Sequence, residues 1–521
     1  MAETGGAVRD LRRNAHATPD RAAIVCGDET WSYAALEATS NRMAAVLRSL
    51  GAVRGDHVAS LIGNRAEPVA LGWAAWRSGV YLTPMPTGLT VRELHYLVED
   101  CDAKVVVADV VLADVAVALP ALSKTEISWL SLRGPIPGFV AMEALMSQTS
   151  PEPRADETPG ALMVYTSGTT GAPKGVFRPL LPADYRGTPP FAKDLLSLFG
   201  LGDADVRYLS TAPLYHAAPL RFALAVTAGG GTVYVMERFD ADEALRLLEQ
   251  HAITHSQWVP SMFQRLLDLP VERRAAFAAP AHRSAIHGAA PCPAPVKKSM
   301  IEWWGPIVRE YYSGSEGVGL TLIDSTEALT HPGSVGRAHK GILHVTDEAG
   351  HLLPAGVTGL VYFSGLASFA YYKAPEKTAA RTLPHGWQTF GDVGHVDEDG
   401  YLYLTDRQDD MIISGGVNVY PQEIEAAILS VEGVWDCAVV GVADERFGER
   451  PVAFVVPARG AATSDPDTLI ASVRSHCESH LGRIKRPSDF RVVVSLPRSP
   501  TGKLLRRRLR EWLAQPDRPA S

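Results

Sequence analysis

The segment Tyr165–Gly175, YTSGTTGAPKG, is the most informative stretch of the sequence. Its three glycines and its proline disfavour a regular helix or strand, and five of its residues carry hydroxyl groups. Such a loop offers unhindered backbone N–H groups, hydroxyl donors and one cation, Lys174, which together suit a polyphosphate. It is not a Walker A loop, because Pro173 precedes the lysine and Gly175 follows it. The segment therefore predicts a phosphate-binding loop, and the alternative is a mobile linker.

Length, charge and composition exclude several classes of protein. A chain of 521 residues is too long for one hydrophobic core, so at least two domains are expected. The net charge of −8 argues against nucleic-acid binding. No apolar segment is long enough to span a membrane, and the N-terminus lacks the apolar core of a signal peptide. Five scattered cysteines without a CxxC pair predict neither a zinc ribbon nor a disulfide framework. We expect a cytoplasmic enzyme without integral membrane association.

Hydrophobic periodicity predicts parallel sheets covered by helices, because short β-branched segments alternate with amphipathic ones. The predicted strands of the larger, N-terminal part are His57–Ile62, Tyr81–Pro84, Lys104–Val111, Gly231–Val235 and Val357–Ser364. The predicted helices there are Glu67–Ser78, Thr90–Leu97 and Asp242–His251. The composition changes after Tyr401–Asp410, and the remaining C-terminal residues have the size of a separate small domain. Its predicted elements are the helices Pro421–Leu429 and Leu469–His480 and the strands Val434–Val442 and Pro451–Val456.

Five further segments accompany the loop in a fixed order: APLYHAAPL (Ala212–Leu220), HGAAP (His287–Pro291), YYSGSEG (Tyr311–Gly317), Gly391–Glu425 and PRSPTGKLLRR (Pro497–Arg507). Together with the loop they closely resemble the signature segments of the adenylate-forming superfamily, which comprises acyl-CoA synthetases, adenylation domains and firefly luciferases. The resemblance runs from about Leu11 to Leu513 and is greatest to bacterial stand-alone acyl-CoA ligases. It implies an acid–thiol ligase that uses ATP, Mg²⁺ and coenzyme A.

The resemblance also implies an α/β fold of two domains. Residues 1–408 would form a large N-terminal domain of stacked mixed sheets and a distorted β-barrel, which binds the acid and ATP. Residues 409–521 would form a small mobile α/β domain, joined at a hinge residue, Asp409. This domain would rotate between the two half-reactions and present Lys503 first and the Gly415–Gly416 loop afterwards.

Adenylate chemistry explains why these residue types are needed. A carboxylate has a poor leaving group, whereas its mixed anhydride with AMP has a good one. Forming that anhydride brings a carboxylate to a triphosphate, so cations and N–H donors must be preorganised there. By resemblance, Glu316 would hold Mg²⁺, and Lys503 would bridge the carboxylate and the α-phosphate. Thr166 and His216 complete the predicted catalytic set.

The remaining roles are also carried by the resemblance. Tyr312 would lie against adenine, Asp392 would accept hydrogen bonds from the ribose, and Arg407 would approach the ribose or the phosphates. The full predicted ATP and AMP set is Thr166, Ser167, Gly168, Thr169, Thr170, Lys174, Gly288, Ala289, Ala290, Tyr312, Ser315, Asp392 and Arg407. The predicted acyl-binding residues are His216, Ala217, Gly288 and Gly314, and the predicted coenzyme A residues are Gly415, Gly416, Phe447 and Arg486.

Several alternatives stay open at this point. The thiol acceptor could be a carrier protein, the chain could perform only the thioester-forming half-reaction, or it could be a luciferase-like oxygenase. The basic residues after Lys503 would form a solvated face or meet coenzyme A phosphates. Small residues near the acyl site favour a bulky or long-chain acid over acetate, but the sequence indicates neither the acid nor the oligomeric state.

Overall fold

The computed structural model describes residues 9–166, 173–415, 417–458, 465–498 and 504–514. The strands are β1 (Ala22–Cys26), β2 (Glu29–Ser32), β3 (His57–Leu61), β4 (Tyr81–Pro84), β5 (Ala103–Asp109), β6 (Ser128–Leu132), β7 (Val140–Ala141), β8 (Ala161–Leu162), β9 (Val164–Thr166), β10 (Lys174–Phe177), β11 (Arg207–Ser210), β12 (Thr232–Val235), β13 (His255–Trp258), β14 (Ser284–His287), β15 (Val308–Tyr312), β16 (Leu320–Ile323), β17 (Arg337–Lys340), β18 (Ile342–Thr346), β19 (Gly359–Ser364), β20 (Ala370–Tyr371), β21 (Asp392–Val396), β22 (Leu402–Arg407), β23 (Ile412–Ser414), β24 (Val417–Val419), β25 (Val434–Asp444), β26 (Gly448–Pro457) and β27 (Asp489–Val492).

The helices are α1 (Leu11–Ala17), α2 (Tyr33–Ser49), α3 (Glu67–Arg77), α4 (Val91–Asp100), α5 (Ala113–Ala116), α6 (Leu119–Leu122), α7 (Met142–Met146), α8 (Pro190–Phe199), α9 (Ala217–Gly229), α10 (Ala241–Gln250), α11 (Pro260–Leu267), α12 (Val271–Ala276), α13 (Ala294–Trp304), α14 (Ser325–Thr330), α15 (Pro375–Ala379), α16 (Pro421–Leu429), α17 (Pro466–His480) and α18 (Arg506–Ala514). Short 3₁₀ turns cover Val110–Leu112, Gln408–Asp410 and Arg483–Lys485.

Two largely parallel sheets dominate the N-terminal part, as the alternating pattern predicts. Among the described strands, one sheet has the order β17-β16-β15-β14-β13-β11-β12-β1-β2, with antiparallel strands only toward its two edges. The other, β7-β6-β5-β3-β4-β8, is parallel throughout. Parallel sheets need apolar cover on both faces. The largest core cluster accordingly joins side chains of both sheets to those of α2, α3 and α9.

Local sequence signals account for the helix boundaries. Thr90 and Glu93 form a reciprocal capping box at the start of α4, which the predicted helix Thr90–Leu97 includes. In α10 the buried residues are Ala241, Ala244, Leu245 and Leu248, on the apolar face that the sequence predicts.

The predicted strands of this part are each found within a few residues of their predicted ends, and the strand predicted at Gly231 begins at Thr232.

Two antiparallel sheets are also formed by strands that precede the C-terminal region, with β9 and β10 before β11 and with β18 to β22 after β17. They have the orders β20-β10-β9 and β18-β19-β21-β22. The first carries the two strands that flank residues 167–172, and the second carries Asp392 and Arg407 at facing positions of β21 and β22. The mixed α/β class with a large and a small part is confirmed.

The C-terminal part has a sheet of order β24-β23-β26-β25, with β27 parallel to β26, and its own apolar core with α16, α17 and α18. Helix α16 has the predicted bounds, and β25 and β26 run longer than predicted. The sequence does not predict the hairpin β23–β24, β27 or α18, because each is short or highly charged. The 3₁₀ turn Gln408–Asp410 contains the predicted hinge residue Asp409, and the domain boundary there stays a prediction.

The basic residues that precede and form α18 do not all face solvent. Arg506 is buried; its Nη1 donates to Glu425 Oε1 at 2.6 Å, and its Nε lies 3.5 Å from Asp410 Oδ2. Arg507 instead is exposed and pairs with Glu511 along the helix. The prediction of a solvated or coenzyme A-binding face is therefore wrong for Arg506, which anchors α18 to α16 and to the predicted hinge.

We expect Arg506→Met to destabilise the C-terminal part by about 3–5 kcal/mol, because it leaves two buried carboxylates without their cation. The measurement is urea unfolding of the full-length chain. Arg507→Met is the matched control, and it should change the free energy of unfolding little because its ion pair is exposed. Equal effects of the two substitutions would contradict a buried anchoring role for Arg506.

Candidate active site

Three of the sequence motifs follow parallel strands of the largest sheet. Strands β11, β13, β14 and β15 are parallel neighbours. The segment 211–216 follows β11, the segment 288–291 follows β14, and the segment 313–317 follows β15. Parallel strands end at the same edge of a sheet, where α/β enzymes bind ligands. The fold thereby brings the APLYH, HGAAP and YYSGSEG motifs together.

The turn after β14 is tightly constrained. A Cβ atom on Gly288 would lie 2.7 Å from Tyr311 O, so only glycine fits there. Ala289 has φ +70°, a left-handed conformation that alanine rarely adopts. Strained backbone of this kind persists only where its surroundings are rigid, which is the condition for a preorganised binding loop.

A buried ionic cluster lies beneath this turn. His287, Glu310 and Lys297 are buried, and Lys297 Nζ contacts Glu310 and donates to Ser334 O at 3.2 Å. Burial raises the pKa of Glu310, an effect that Lys297 opposes, and burial lowers the pKa of His287 well below its usual range. The histidine is therefore neutral, and the Lys297–Glu310 pair ties β15 to α13 under the site.

The YYSGSEG segment ends in a turn that places Glu316. Gly317 N donates to Gly314 O at 3.0 Å, and Gly317 has φ +57°, which glycine tolerates. Ser315 and Glu316 occupy the two central positions of this turn. Arg178 Nη2 donates to the carbonyl oxygens of Glu316 and Gly317 at 2.7 and 2.8 Å and so fixes the turn from β10's side.

Glu316 connects this turn to the phosphate-loop hairpin. Tyr371 donates its hydroxyl to Glu316 Oε1 at 2.8 Å, and Lys174 Nζ lies 5.0 Å from the centroid of the Tyr371 ring. Strands β9 and β10 are antiparallel, with Thr166 facing Lys174. The predicted phosphate-binding lysine and the predicted metal-binding carboxylate therefore both lie next to Tyr371. The lysine is near the ring, and the carboxylate is at the hydroxyl.

The hairpin itself is only partly described. Ser167, Gly168, Thr169 and Thr170 lie outside the described residues, so their predicted phosphate contacts stay predictions. Tyr165 donates its hydroxyl to Asp100 Oδ2 at 2.6 Å, and burial raises the pKa of this tyrosine. Of the five hydroxyl groups in the motif, that of Tyr165 thus anchors the base of the hairpin.

Glu316 is suited to Mg²⁺ in combination with a polyphosphate. Mg²⁺ is usually bound by one or two carboxylates, waters and substrate phosphates. Among the residues that the structure describes, no group of three or more His, Cys, Asp or Glu side chains could hold a metal by itself. One oriented carboxylate beside the phosphate-loop hairpin fits a magnesium that arrives with ATP.

Asp392 is the centre of the predicted nucleotide site. Its Oδ2 accepts from the Tyr312 hydroxyl at 2.6 Å, and its Oδ1 lies 3.2 Å from Arg407 Nε. The adjacent Asp392 raises the pKa of Arg407, and burial, with Asp392, raises that of Tyr312. Each carboxylate oxygen has a second lone pair for a ribose hydroxyl. The structure thus brings together Tyr312, Asp392 and Arg407, as predicted, and adds Phe390, which packs edge-on against Tyr312.

The predicted acyl side is lined by the beginning of α9. His216 is the N-cap residue of this helix, and burial lowers its pKa to about 4, so the ring is neutral at physiological pH. Among the described residues, His216 Nε2 has no hydrogen-bond partner although it is buried. Ala217 and Tyr312 both pack against the core cluster that contains Phe390. An unpartnered buried nitrogen beside these residues suits a substrate-facing position, and its role as an acyl gate stays a prediction.

The predicted coenzyme A residues are partly assembled in the C-terminal part. Gly415 has φ +57° and donates its N–H to Phe447 O at 2.7 Å, and a Cβ there would touch both Phe447 and Ile484 at 3.4 Å. Arg486 donates to the carbonyl oxygens of Leu481 and Glu478, so it caps the end of α17. Gly416 and Lys503 lie outside the described residues.

Residues 11–373 match the sequence model of the AMP-binding enzyme family, and residues 423–503 match that of the AMP-binding enzyme C-terminal domain. The chain belongs to the AMP-binding enzyme family. The long-chain-fatty-acid–CoA ligase FadD13 of Mycobacterium tuberculosis is 32% identical, with 96% of this chain and 97% of the relative covered. The fatty acid–acyl-carrier-protein ligase ScoC of Streptomyces coeruleorubidus is also 32% identical, with 95% and 93% covered.

A solved relative is ATP-bound MatB of Rhodopseudomonas palustris, with a TM-score of 0.81, 30% identity, and 98% of this chain and 100% of that chain covered. The enzyme is therefore an adenylate-forming ligase, and its predicted family and fold are confirmed. All five of its cysteines are free thiols. No described helix is long and apolar enough to cross a membrane.

In this enzyme we expect Tyr371→Phe to lower kcat/KM for adenylation about 10- to 100-fold, because a hydrogen bond to a charged group contributes about 1.5–3 kcal/mol. Thioester formation from a supplied acyl-adenylate should stay close to normal. Tyr372→Phe is the matched control, since the Tyr372 hydroxyl bonds to Asp102 away from Glu316. Adenylation unaffected by Tyr371→Phe would show that Glu316 needs no orienting partner.

The sequence predicts that Gly314 lines the acyl site, but a Cβ there would lie 2.5 Å from the Phe390 ring and 2.8 Å from Glu316 Oε2. We therefore expect Gly314→Ala to slow adenylation of short and bulky acids alike, since overpacking costs about 1–3 kcal/mol. AMP release from a graded series of acids measures this. Gly202→Ala is the control, because its Cβ would meet only the flexible Arg9 side chain. Selective loss of bulky acids would instead support the predicted place of Gly314 in the acyl wall.

Proposed function

We propose that the enzyme is an ATP-dependent acyl-CoA ligase, which activates a bulky or long-chain carboxylic acid as its acyl-adenylate and transfers the acyl group to coenzyme A. The observation that carries this proposal is the linked arrangement of Lys174, Tyr371 and Glu316 beside the Tyr312–Asp392–Arg407 group. The first group suits a polyphosphate with its metal, and the second suits a nucleoside. The names of the fatty-acid ligase relatives support the acid class.

In the first half-reaction the acid's carboxylate oxygen attacks the α-phosphorus of ATP, and the bond to the bridging oxygen of pyrophosphate breaks. Lys174 and the hairpin would hold the β- and γ-phosphates, while Asp392 would orient the ribose. Glu316 would hold Mg²⁺, which when bound neutralises phosphate charge. Lys503 would add a cation between carboxylate and α-phosphate. The His216 ring is neutral, so it carries no positive charge that would attract the carboxylate or the α-phosphate.

In the second half-reaction the sulfur of coenzyme A attacks the acyl carbon, AMP leaves, and the thiol proton is released. A thiol with an ordinary pKa needs positioning more than a strong base. Gly415, Phe447 and Ile484 would line the approach of the pantetheine arm, and rotation at Asp409 would bring them to the acyl-adenylate. Phe447 replaces the tryptophan common in the family, and Ile484 offers no ring for stacking on adenine.

A carrier-protein ligase is the second candidate, because ScoC is as similar as FadD13. Both activities share the first half-reaction and differ only in the thiol acceptor. Competition between free coenzyme A and a holo-carrier protein for one supplied acyl-adenylate separates them. Pyrophosphate exchange separates both from a protein that performs only the thioester-forming half-reaction.

The direct test is product identity with a panel of acids in the presence of ATP, Mg²⁺ and coenzyme A. We expect AMP, pyrophosphate and acyl-CoA, with bulky or long-chain acids preferred to acetate. A chelator should abolish turnover, and added Mg²⁺ should restore it. Formation of ADP and phosphate would contradict adenylate chemistry.

We expect Lys503→Ala to lower adenylation about 10²–10³-fold, the typical cost of one electrostatic contact to developing charge. The same variant, given synthetic acyl-AMP and coenzyme A, should form thioester at a near-normal rate, because Lys503 would then be remote from the acyl carbon. Both half-reactions are measured on one preparation, which controls for misfolding. Equal loss in both would contradict domain rotation, and intact adenylation would show that the PRSPTGK segment has another role.

A further inference from the structure

Arg221 is a cation in the middle of the apolar helix α9. The first turns of this helix leave Ala217, Ala218 and Arg221 partly uncovered, whereas every residue from Phe222 to Gly229 is buried. Residues three and four apart share one face of a helix. Arg221 therefore lies on the face that carries the predicted acyl-site residue Ala217, about one turn farther along.

The Arg221 side chain lies deep in the molecule and yet keeps part of its surface uncovered. Among the described residues, no ion pair or hydrogen bond joins it to another residue. Other arginines with largely buried side chains have such partners, as Arg77 has in Glu37 and Arg506 has in Glu425. An uncompensated buried charge is costly, so a fold keeps one where a ligand supplies the counter-charge.

The surroundings of Arg221 contribute further positive charge and hydrogen-bonding groups. Burial, and secondarily Arg178, lowers the pKa of Arg221 to about 10, so it stays cationic at neutral pH, while Tyr311 acts in the opposite direction. Arg178 itself donates to carbonyl groups. Gln257 Nε2 donates a hydrogen bond to the Tyr311 hydroxyl oxygen at 3.2 Å. This side of the site is therefore built to attract an anion.

The position of Arg221 relative to β15 separates it from the Tyr312–Asp392 group of the predicted nucleotide site. Successive side chains of a strand point to opposite faces. Tyr312 points to Asp392 in the nucleotide site, and Tyr311 points to the other face, toward Phe222 and Arg221. Gly288, a predicted acyl-site residue, approaches the Tyr311 ring. Arg221 thus lies on the side of β15 opposite to Tyr312 and its contact with Asp392.

We propose that Arg221 binds a second carboxylate at the far end of the acid, so that the preferred substrates are acids with an anionic terminus. A planar guanidinium matches a carboxylate through two parallel hydrogen bonds. The inference rests on the proposed ligase function and names its substrate class. It accounts for a cation that has no partner among the described residues and lies on the helix face that carries the predicted acyl-site residue Ala217.

The test compares matched acids that differ only in the terminal carboxylate: octanoate with octanedioate, and decanoate with decanedioate. Wild-type enzyme should use the diacids with the higher kcat/KM. Arg221→Met should lower kcat/KM for the diacids about 10- to 100-fold, the value of one charge-assisted contact, and leave the monoacids little changed. Arg221→Lys should restore part of the loss. Lys340→Met is the control for local charge, because Lys340 is paired with Asp194, and it should not alter the ratio.

Equal losses for mono- and diacids in Arg221→Met, or a wild-type preference for the monoacid of every pair, would overturn the proposal. Calorimetric titration with the same acids tests it independently of turnover. If Arg221→Met selectively weakens the binding of diacids, the role of Arg221 is supported. If no thioester forms in the same experiments, the ligase proposal alone fails. Diacid affinity that is the same in both proteins overturns the role of Arg221.

Discussion

The site depends on one geometric constraint: the parallel strands β11, β13, β14 and β15 all end at the same edge of a sheet. The segments that follow β11, β14 and β15 are widely separated in the sequence, and no local interaction would bring them together. Parallel pairing does so without any contact between the motifs themselves. The two antiparallel sheets then complete the site by adding Lys174, Tyr371, Asp392 and Arg407. The edge of the largest sheet therefore holds the motif turns in place. The strands of the two antiparallel sheets supply the charged and polar side chains.

The backbone at that edge is locally strained, and contacts in the interior of the protein offset the unfavourable energy of this strain. Ala289 in a left-handed conformation and the close approach of Gly288 to Tyr311 are unfavourable locally. They are held by strand pairing between β14 and β15 and by the buried Lys297–Glu310 contact beneath. Arg178 contributes from another sheet by binding the carbonyls of the Glu316 turn. These contacts stabilise the backbone of the site and so preorganise it.

The fold class and the motif residues are predictable from the sequence because both leave local signals: periodicity for β3, α4 and α10, and composition for the hairpin. Residues whose role depends only on tertiary contacts leave no such signal. Tyr371 lies 55 residues from Glu316 in the chain, and nothing in its neighbourhood marks it as the partner of that carboxylate. Arg506 has basic neighbours that suggest a solvated face, whereas its acidic partners come from a helix and a turn far upstream. Gly314 is small enough for the predicted acyl wall, but the folded turn decides that a side chain there would meet the Phe390 ring and the Glu316 carboxylate.

The polar contacts around the predicted hinge bear on how the small domain could move. Asp406, at the end of β22, accepts from Arg407 N at 2.7 Å and from Gln422 N of α16 at 2.9 Å. Asp410 is tied to the small domain through Arg506. The predicted hinge residue Asp409 therefore lies between two carboxylates that both contact small-domain groups. Contacts close to a rotation axis change least during rotation, so such bonds can persist while distant loops exchange places. A pivot held by short-range polar contacts would suit a lid that must present two different faces to one adenylate.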